Sequence, residues 1–164
     1  MKAKSKDLKD KTNVMRVLDS LKVEYVSHTY EPDPTMTGVE IAELLKEDPD
    51  SAFKTLVTVG KSGDHYVFVI PVAEELDLKK AASTCGEKYV EMIKQKELLP
   101  LTGYVHGGCS PIGMKKTFPT YVHETAMLYE HMFVSAGRVG YQIELKPEDL
   151  MKAVKFEYAD VTVS

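Results

Sequence analysis

The chain has 164 residues, of which 43% are hydrophobic and 28% charged, and its formal net charge is −4. This length suits one domain with one core, and this composition excludes disordered, collagen-like and disulfide-framework proteins. No apolar run approaches the roughly 18 residues needed to span a bilayer, and the basic first residues precede no apolar stretch, so we expect a cytoplasmic protein without membrane contact.

The first third of the chain predicts a helix, a strand and a second helix. Apolar residues at helical spacing predict a helix over residues 12–21, with the threonine at its start as the cap. The β-branched and aromatic run at 23–30 predicts a strand. Thr37 and Glu40 match a capping box that opens a second helix, which we expect Asp48-Pro49-Asp50 to end.

The middle of the chain carries a strong hairpin signal. Two β-rich runs at 53–59 and 65–70 are joined by a turn that contains glycine. Asp77 predicts the cap of a third helix, and Gly86 predicts its end. Later segments follow the same rules: a strand at 88–92, a short helix ending before Pro100, strands at 118–123, 131–135 and 141–145, a helix opened by Pro147, and an edge strand in the tail FEYADVTVS.

Helices and strands therefore alternate without an internal repeat or a flexible linker. This pattern predicts a single α/β (α+β) domain over residues 1–164, with a flexible N-terminus at 1–11. The central hairpin makes the sheet mixed rather than wholly parallel, which disfavours a doubly wound nucleotide-binding fold.

The most distinctive motif is the glycine loop, residues 107–116, which reads GGCSPIGMKK. Its glycines leave backbone N–H groups open to a ligand, its serine-proline pair fixes a turn, and Lys115 and Lys116 add positive charge. The loop lies in a window, residues 98–123, that contains no Asp or Glu. It lacks the P-loop and Rossmann patterns, so an oxyanion or phosphate site and a plain surface loop are equally good interpretations.

Lys54 is the second feature, because it begins a strand that should contact the core. Burying an ammonium group without a partner is costly. Its side chain therefore either extends along the strand to water or points into a pocket where its charge is used.

Nucleophile and metal sites are disfavoured by spacing. Ser110 is followed directly by proline and lacks the GxSxG arrangement, and Cys109 has no partner histidine at a recognisable offset. The two cysteines and five histidines show no metal-binding spacing, so we expect no metal and no cofactor.

Six blocks taken together resemble the YbaK/EbsC family over about residues 12–154. The blocks occur in the family's order at 28–31 (HTYE), 53–56 (FKTL), 76–80 (LDLKK), 102–104 (TGY), 107–116 (GGCSPIGMKK) and 134–137 (VSAG). The family resembles the editing domain of bacterial prolyl-tRNA synthetases and includes free-standing Cys-tRNA(Pro) deacylases. The resemblance implies a mixed, partly barrel-like sheet flanked by helices, and hydrolysis of the ester between a wrong amino acid and the tRNA 3′ end.

The resemblance also implies roles for individual residues. It assigns catalytic roles to Lys54, Gly107 and Gly108, substrate contacts to Tyr30, Thr55, Ser110, Pro111, Gly113, Ser135 and Gly137, and tRNA contacts to Lys115 and Lys116. With no side-chain base evident, the attacking group would be water, a ribose hydroxyl or the substrate's own thiol, which would cyclise in a lyase-like reaction.

The expected partners are aminoacylated tRNA and prolyl-tRNA synthetase, with the protein a monomer or weak homodimer. Gln142 stands where an acid is common in the family, and the loop at 33–38 lacks an aromatic residue that other members use. Alanine or another small amino acid therefore stays open beside cysteine. A non-catalytic RNA- or synthetase-binding module of the same fold is the competing function.

Overall fold

The computed structural model describes residues 11–164, so most of the N-terminus expected to be flexible lies outside the described residues. The described chain forms five helices and eight strands: α1 (Asn13–Ser20), β1 (Val26–Thr29), α2 (Gly38–Leu44), β2 (Phe53–Gly60), β3 (His65–Pro71), α3 (Leu78–Cys85), β4 (Val90–Met92), α4 (Gln95–Thr102), β5 (Thr120–His123), β6 (Met132–Ser135), β7 (Tyr141–Leu145), α5 (Pro147–Ala153) and β8 (Glu157–Ala159). None of the described helices is long and apolar enough to cross a membrane.

The strands form two sheets rather than one curled sheet. A three-stranded sheet has the order β1-β7-β6 and is antiparallel throughout. A five-stranded sheet has the order β4-β2-β3-β5-β8, with antiparallel pairs at the β4 side and parallel pairs at the β8 side. The mixed α/β class and the edge position of the last strand are thus confirmed, but the sheets do not close into a barrel.

One isolated bridge joins the two sheets. Ala52, just before β2, pairs in parallel with Phe133 of β6. We call the line along which β2 and β6 face each other the seam, since no longer ladder links the sheets within residues 11–164. Side chains from both sheets can meet there.

The predicted helix caps are present. The Thr12 hydroxyl accepts a hydrogen bond from the Met15 N–H at 3.2 Å, and Thr37 with Glu40 forms the full capping box. At α3 the Asp77 carboxylate accepts two backbone N–H groups, and Gly86 ends the helix with φ 79°. Each capping residue supplies an acceptor or a backbone conformation that other residue types provide less well.

Two predicted helix ends were wrong. α2 ends at Leu44, because the chain turns at Lys46 with φ 61°; Asp48 instead caps a short 3-10 turn over Pro49–Ser51. α4 continues through Pro100 to Thr102. The Thr102 hydroxyl donates to the Leu98 carbonyl at 2.8 Å and stabilises the last turn, although Pro100 has no N–H to donate to the preceding turn.

The larger core lies between the two sheets and under α1 and α5. Its fully buried members include Val14 and Leu18 of α1, Val69 of β3, Ile143 of β7 and Leu150 of α5. The opposite face of the five-stranded sheet forms a second core with α3, in which Phe68 stacks on Tyr121 at 5.5 Å. The two cores take alternate residues of β3, as strand geometry requires.

Candidate active site

Lys54 and Ser135 occupy matching positions on the two strands that border the seam. Both lie two residues beyond the Ala52–Phe133 bridge, Lys54 on β2 and Ser135 on β6. Because alternate residues of a strand share a face and the bridge is parallel, their side chains leave the two strands on the same side. The seam therefore unites two of the predicted site residues that stand far apart in the sequence.

The environment of Lys54 changes the pKa of its ammonium group. The side chain is half-buried, and this burial lowers the pKa of its ammonium group; the carboxylates of Glu75 and Glu74 act in the opposite direction. The ammonium group is thus partly shielded from water and is attracted by two carboxylates. A lysine in this state interacts strongly with a phosphate or a developing oxyanion, since the local dielectric is low.

Thr55 faces away from Lys54. Adjacent strand residues point to opposite faces, and Thr55 shares the face of Phe53 and Val57, which belong to the larger core. Its Oγ1 is buried and has no hydrogen-bond partner among the described residues. The structure therefore separates Thr55 from the side of β2 that carries Lys54.

Tyr30 lies beside the turn that follows Ser135. Its N–H donates to the Gly140 carbonyl at 2.9 Å, and a Cβ on Gly140 would approach the Tyr30 carbonyl to 2.9 Å. Gly140 also has φ 90°. A side chain at this position would be both strained and crowded, so glycine is what permits the close contact.

The glycine loop packs against the same turn. A Cβ on Gly108 would lie 2.9 Å from the Val139 nitrogen and 3.2 Å from the Arg138 carbonyl carbon. Gly137, whose N–H donates to the Ser135 Oγ at 3.1 Å, packs as closely on Val14 of α1. The loop, the turn, Tyr30 and α1 thus form one continuous wall next to the seam.

The amide groups of the loop are not equally available. The Gly108 N–H already donates to the Val105 carbonyl at 3.0 Å. The N–H groups of Gly107 and Cys109 have no acceptor within residues 11–164. These two amides, rather than that of Gly108, are the candidate donors to an oxyanion.

Ser110 and Cys109 lie inside the loop rather than on its surface. Ser110 is 0% exposed, and its hydroxyl accepts a hydrogen bond from the Ile112 N–H at 3.3 Å. Burial raises the pKa of the Cys109 thiol to about 12. The Ser110 side chain therefore helps to hold the loop together, and its contact with a substrate stays a prediction. Cys109 stays a protonated thiol at neutral pH.

The second half of the loop is open to solvent. Gly113, Lys115 and Lys116 are exposed, and the backbone of Lys115 is fixed by its N–H bond to the Thr102 carbonyl at 2.9 Å. Pro111 is mostly covered but shares a surface cavity with Lys116. The two lysines predicted to contact tRNA thus lie on an anchored segment, and their side chains are exposed to solvent.

A charged cluster that the sequence did not reveal lies on the outer face of the three-stranded sheet. Glu144 of β7 accepts from His28 Nε2 at 2.9 Å and from His131 Nδ1 at 2.7 Å. Nearby, both carboxylate oxygens of Glu47 and the Oε1 of Gln142 are buried without a hydrogen-bond partner among the described residues.

Burial raises the pKa of Glu47 to about 7; the Gln142 side chain and His28 oppose this rise and Glu144 adds to it. Glu47 follows α2 in the chain, and no local pattern marks it as a buried residue. Only the tertiary packing of α2 on the sheet could have identified it. Within residues 11–164 no three His, Cys, Asp or Glu side chains form a group that could hold a metal ion.

Fold and site together define a small tRNA-editing module. The family model of the aminoacyl-tRNA editing domain matches residues 32–153, so the chain belongs to this family. It is 45% identical over 158 residues to an Enterococcus faecalis protein named as a candidate Cys-tRNA(Pro)/Cys-tRNA(Cys) deacylase, EbsC, with 96% of each chain covered.

Two solved structures are similar over almost the whole chain. One, described as a candidate trans-editing enzyme for prolyl tRNA synthetase, has a TM-score of 0.79 and 25% identity, covering 92% of this chain and 95% of its own. The other, the hypothetical protein APE2540, has a TM-score of 0.82 and 25% identity, covering 91% and 98%. The similarity of fold and the family match therefore agree.

Proposed function

We propose that the protein hydrolyses the ester between a wrong amino acid and the 3′ end of a tRNA, with Cys-tRNA(Pro) as its substrate. The observation that carries the proposal is the half-buried Lys54, whose charge faces Ser135 across the seam beside a loop with free amide groups. A module that only bound RNA would gain nothing from a partly desolvated lysine at this place. The family and the name of the E. faecalis relative support the same substrate class.

The chain supplies electrostatics and positioning rather than a nucleophile. Cys109 is a buried thiol and Ser110 a buried hydroxyl, so neither can attack a carbonyl carbon. The attacking group is then water, which releases the free amino acid, or the thiol of the bound cysteine, which forms a cyclic thioester. In both cases the ester bond to the ribose breaks, and a proton of the attacking group passes to the ribose oxygen. Lys54 fixes the 3′ end through its charge, and the amides of Gly107 and Cys109 stabilise the oxyanion; one such donor is worth about 3 kcal/mol.

Substrate contacts of Tyr30, Ser135 and Gly137 fit this arrangement, since all three lie on the wall beside the seam. We further propose that the protein works in trans in the cytoplasm, as a monomer or weak homodimer, close to a prolyl-tRNA synthetase. The relation of one similar structure to that synthetase supports this partner.

The test is a deacylation assay with tRNA(Pro) charged with cysteine, alanine or proline and labelled in the amino acid. We expect rapid loss of the cysteinyl ester, slower loss of the alanyl ester and no loss of the prolyl ester beyond that in buffer. Equal, buffer-like rates for all three would leave a binding module and would overturn the enzyme proposal. Faster loss of alanine than cysteine would correct only the substrate.

A further inference from the structure

A surface groove leads away from the glycine loop. It consists of two adjoining cavities of about 280 Å³ and about 350 Å³, both lined by Thr117, Phe118, Thr120 and Lys155. The first cavity begins at Pro111, Gly113 and Lys116 of the loop. We call the two cavities together the lysine groove, since Lys116 and Lys155 border it.

Basic residues outnumber acidic residues along the lysine groove. Lys116 and Lys155 are exposed, and neither forms an ion pair with any of residues 11–164, whereas Lys80 and Lys152 each contact a carboxylate. No acidic residue lines the first cavity, and Glu157 is the one acid that lines the second. In a chain with net charge −4, this concentrates positive potential on one narrow surface.

The floor of the groove offers an aromatic face. Phe118 is partly exposed, and on one side its ring meets the His65 ring at 5.7 Å and 58°. Part of the ring packs against the larger core, and the neighbouring Thr117 and Pro119 are exposed. Lysines that flank an accessible aromatic ring are the combination that binds single-stranded nucleic acid, with phosphates on the lysines and a base on the ring.

We propose that the lysine groove binds the single-stranded RNA that immediately precedes the terminal nucleotide of the tRNA. Phosphates contact Lys116 and Lys155, and a base stacks on Phe118. The proposal rests on the proposed function, because the groove starts at Pro111, Gly113 and Lys116, in the second half of the loop whose first residues are proposed to contact the 3′ end. An acidic peptide would use the lysines but would have no base to stack on Phe118.

The test measures binding of a short single-stranded RNA that ends in CCA and carries no amino acid, by fluorescence anisotropy at several salt concentrations. We expect the double variant Lys116→Ala/Lys155→Ala to bind about tenfold more weakly, with a salt dependence reduced by about 1.4 in slope for two lost phosphate contacts. Phe118→Leu, which keeps an apolar side chain, should bind the RNA about five- to tenfold more weakly. The control, Lys79→Ala, removes an exposed lysine on α3 outside the groove and should bind normally.

The outcomes separate the two proposals. If the double variant binds the RNA as tightly as the wild type, or if a peptide of equal negative charge competes equally well, the groove proposal is wrong whatever the protein hydrolyses. If binding falls as expected but no charged tRNA is hydrolysed, the groove stands and the deacylase proposal fails. Thermal unfolding of each variant shows whether a loss of binding reflects a loss of the fold.

Discussion

Lys54 on β2 and Glu47 in the segment after α2 are two half-buried ionisable residues, and burial moves the pKa of each toward neutrality. Lys54 is compensated by Glu75 and Glu74, which favour its charged form. Burial and the nearby Glu144 carboxylate raise the pKa of Glu47, although the Gln142 side chain and His28 favour its charged form. Acidic neighbours therefore favour the charge of Lys54, whereas an acidic neighbour adds to the effect of burial on Glu47.

This difference indicates where the molecule uses a charge and where it only tolerates one. A cation next to an open wall can act on a substrate, whereas a buried carboxylate mainly reduces stability when it ionises. The following substitutions test that distinction.

Lys54→Ala should reduce kcat/KM for Cys-tRNA(Pro) by about 100-fold or more, because it removes the charge that positions the 3′ end. Lys54→Arg should recover part of the rate, since the charge returns with a different shape. Deacylation under single-turnover conditions measures both. A Lys54→Ala protein with the wild-type rate would show that the seam is not the active site; Lys79→Ala is the matched control.

Glu47→Gln should stabilise the protein at pH 8 and leave the deacylation rate unchanged. One pKa unit corresponds to about 1.4 kcal/mol, and after a discount for partial exposure we expect a gain of about 1–2 kcal/mol. The pKa of Glu47 is higher in the folded protein than in the unfolded chain. Its contribution to the free energy of unfolding is therefore fully present below about pH 4.5 and is lost as the pH rises to about 7.

The wild-type free energy of unfolding should therefore fall across that pH window, and the Glu47→Gln protein should lose this part of the dependence. Urea denaturation at pH 5, 6, 7 and 8 measures it. Identical pH profiles for the two proteins would mean that Glu47 is not buried as described.

Glu75→Gln should shift the alkaline limb of the pH–rate profile to lower pH. Glu75 raises the pKa of Lys54, so its loss lets the lysine release its proton sooner, and activity requires the protonated form. On that limb we expect a rate loss of less than about tenfold. An unchanged profile would show that the rate does not depend on the charge of Lys54. The control is Glu91→Gln, which replaces an exposed acid on β4.

His131→Ala should have the smallest effect, a change of about 0.5 kcal/mol or less in the free energy of unfolding at pH 6. The ring contacts Glu144 at 2.7 Å but is exposed, and exposed ion pairs contribute little. Denaturation at low and high salt measures it. A loss of several kcal/mol would instead indicate that the cluster around Glu144 holds the three-stranded sheet together.

Local chemistry made most of the fold predictable from the sequence. The caps at Thr12, Thr37 and Asp77 and the hairpin of β2 and β3 depend on residues a few positions apart, and all were confirmed. The path of α4 through Pro100 was not predictable, because the sequence alone does not show that the last turn is stabilised by the bond from the Thr102 hydroxyl to the Leu98 carbonyl. The division into two sheets depends on long-range pairing that no local pattern encodes.

The candidate site shows the same limit. Lys54 and the glycine loop stand out because a lysine in a core strand and a glycine-rich, acid-free window are unusual in a sequence. Which loop amides are free, and that Ser110 points inward, depends on how the loop packs on the turn near Val139. The burial of Glu47 could not be predicted, because no pattern in the neighbouring sequence indicates that a carboxylate is buried.

The bridge between Ala52 and Phe133 has a mechanical consequence. Because the two sheets share one backbone pair and no ladder within residues 11–164, the separation of Lys54 and Ser135 is set by side-chain packing behind the seam. A change of a methyl group at Val134, which is buried there, alters that separation without breaking a sheet. The gap that we propose for the aminoacyl group is therefore adjustable by single core substitutions, which is a simple route by which one scaffold acquires different amino-acid preferences.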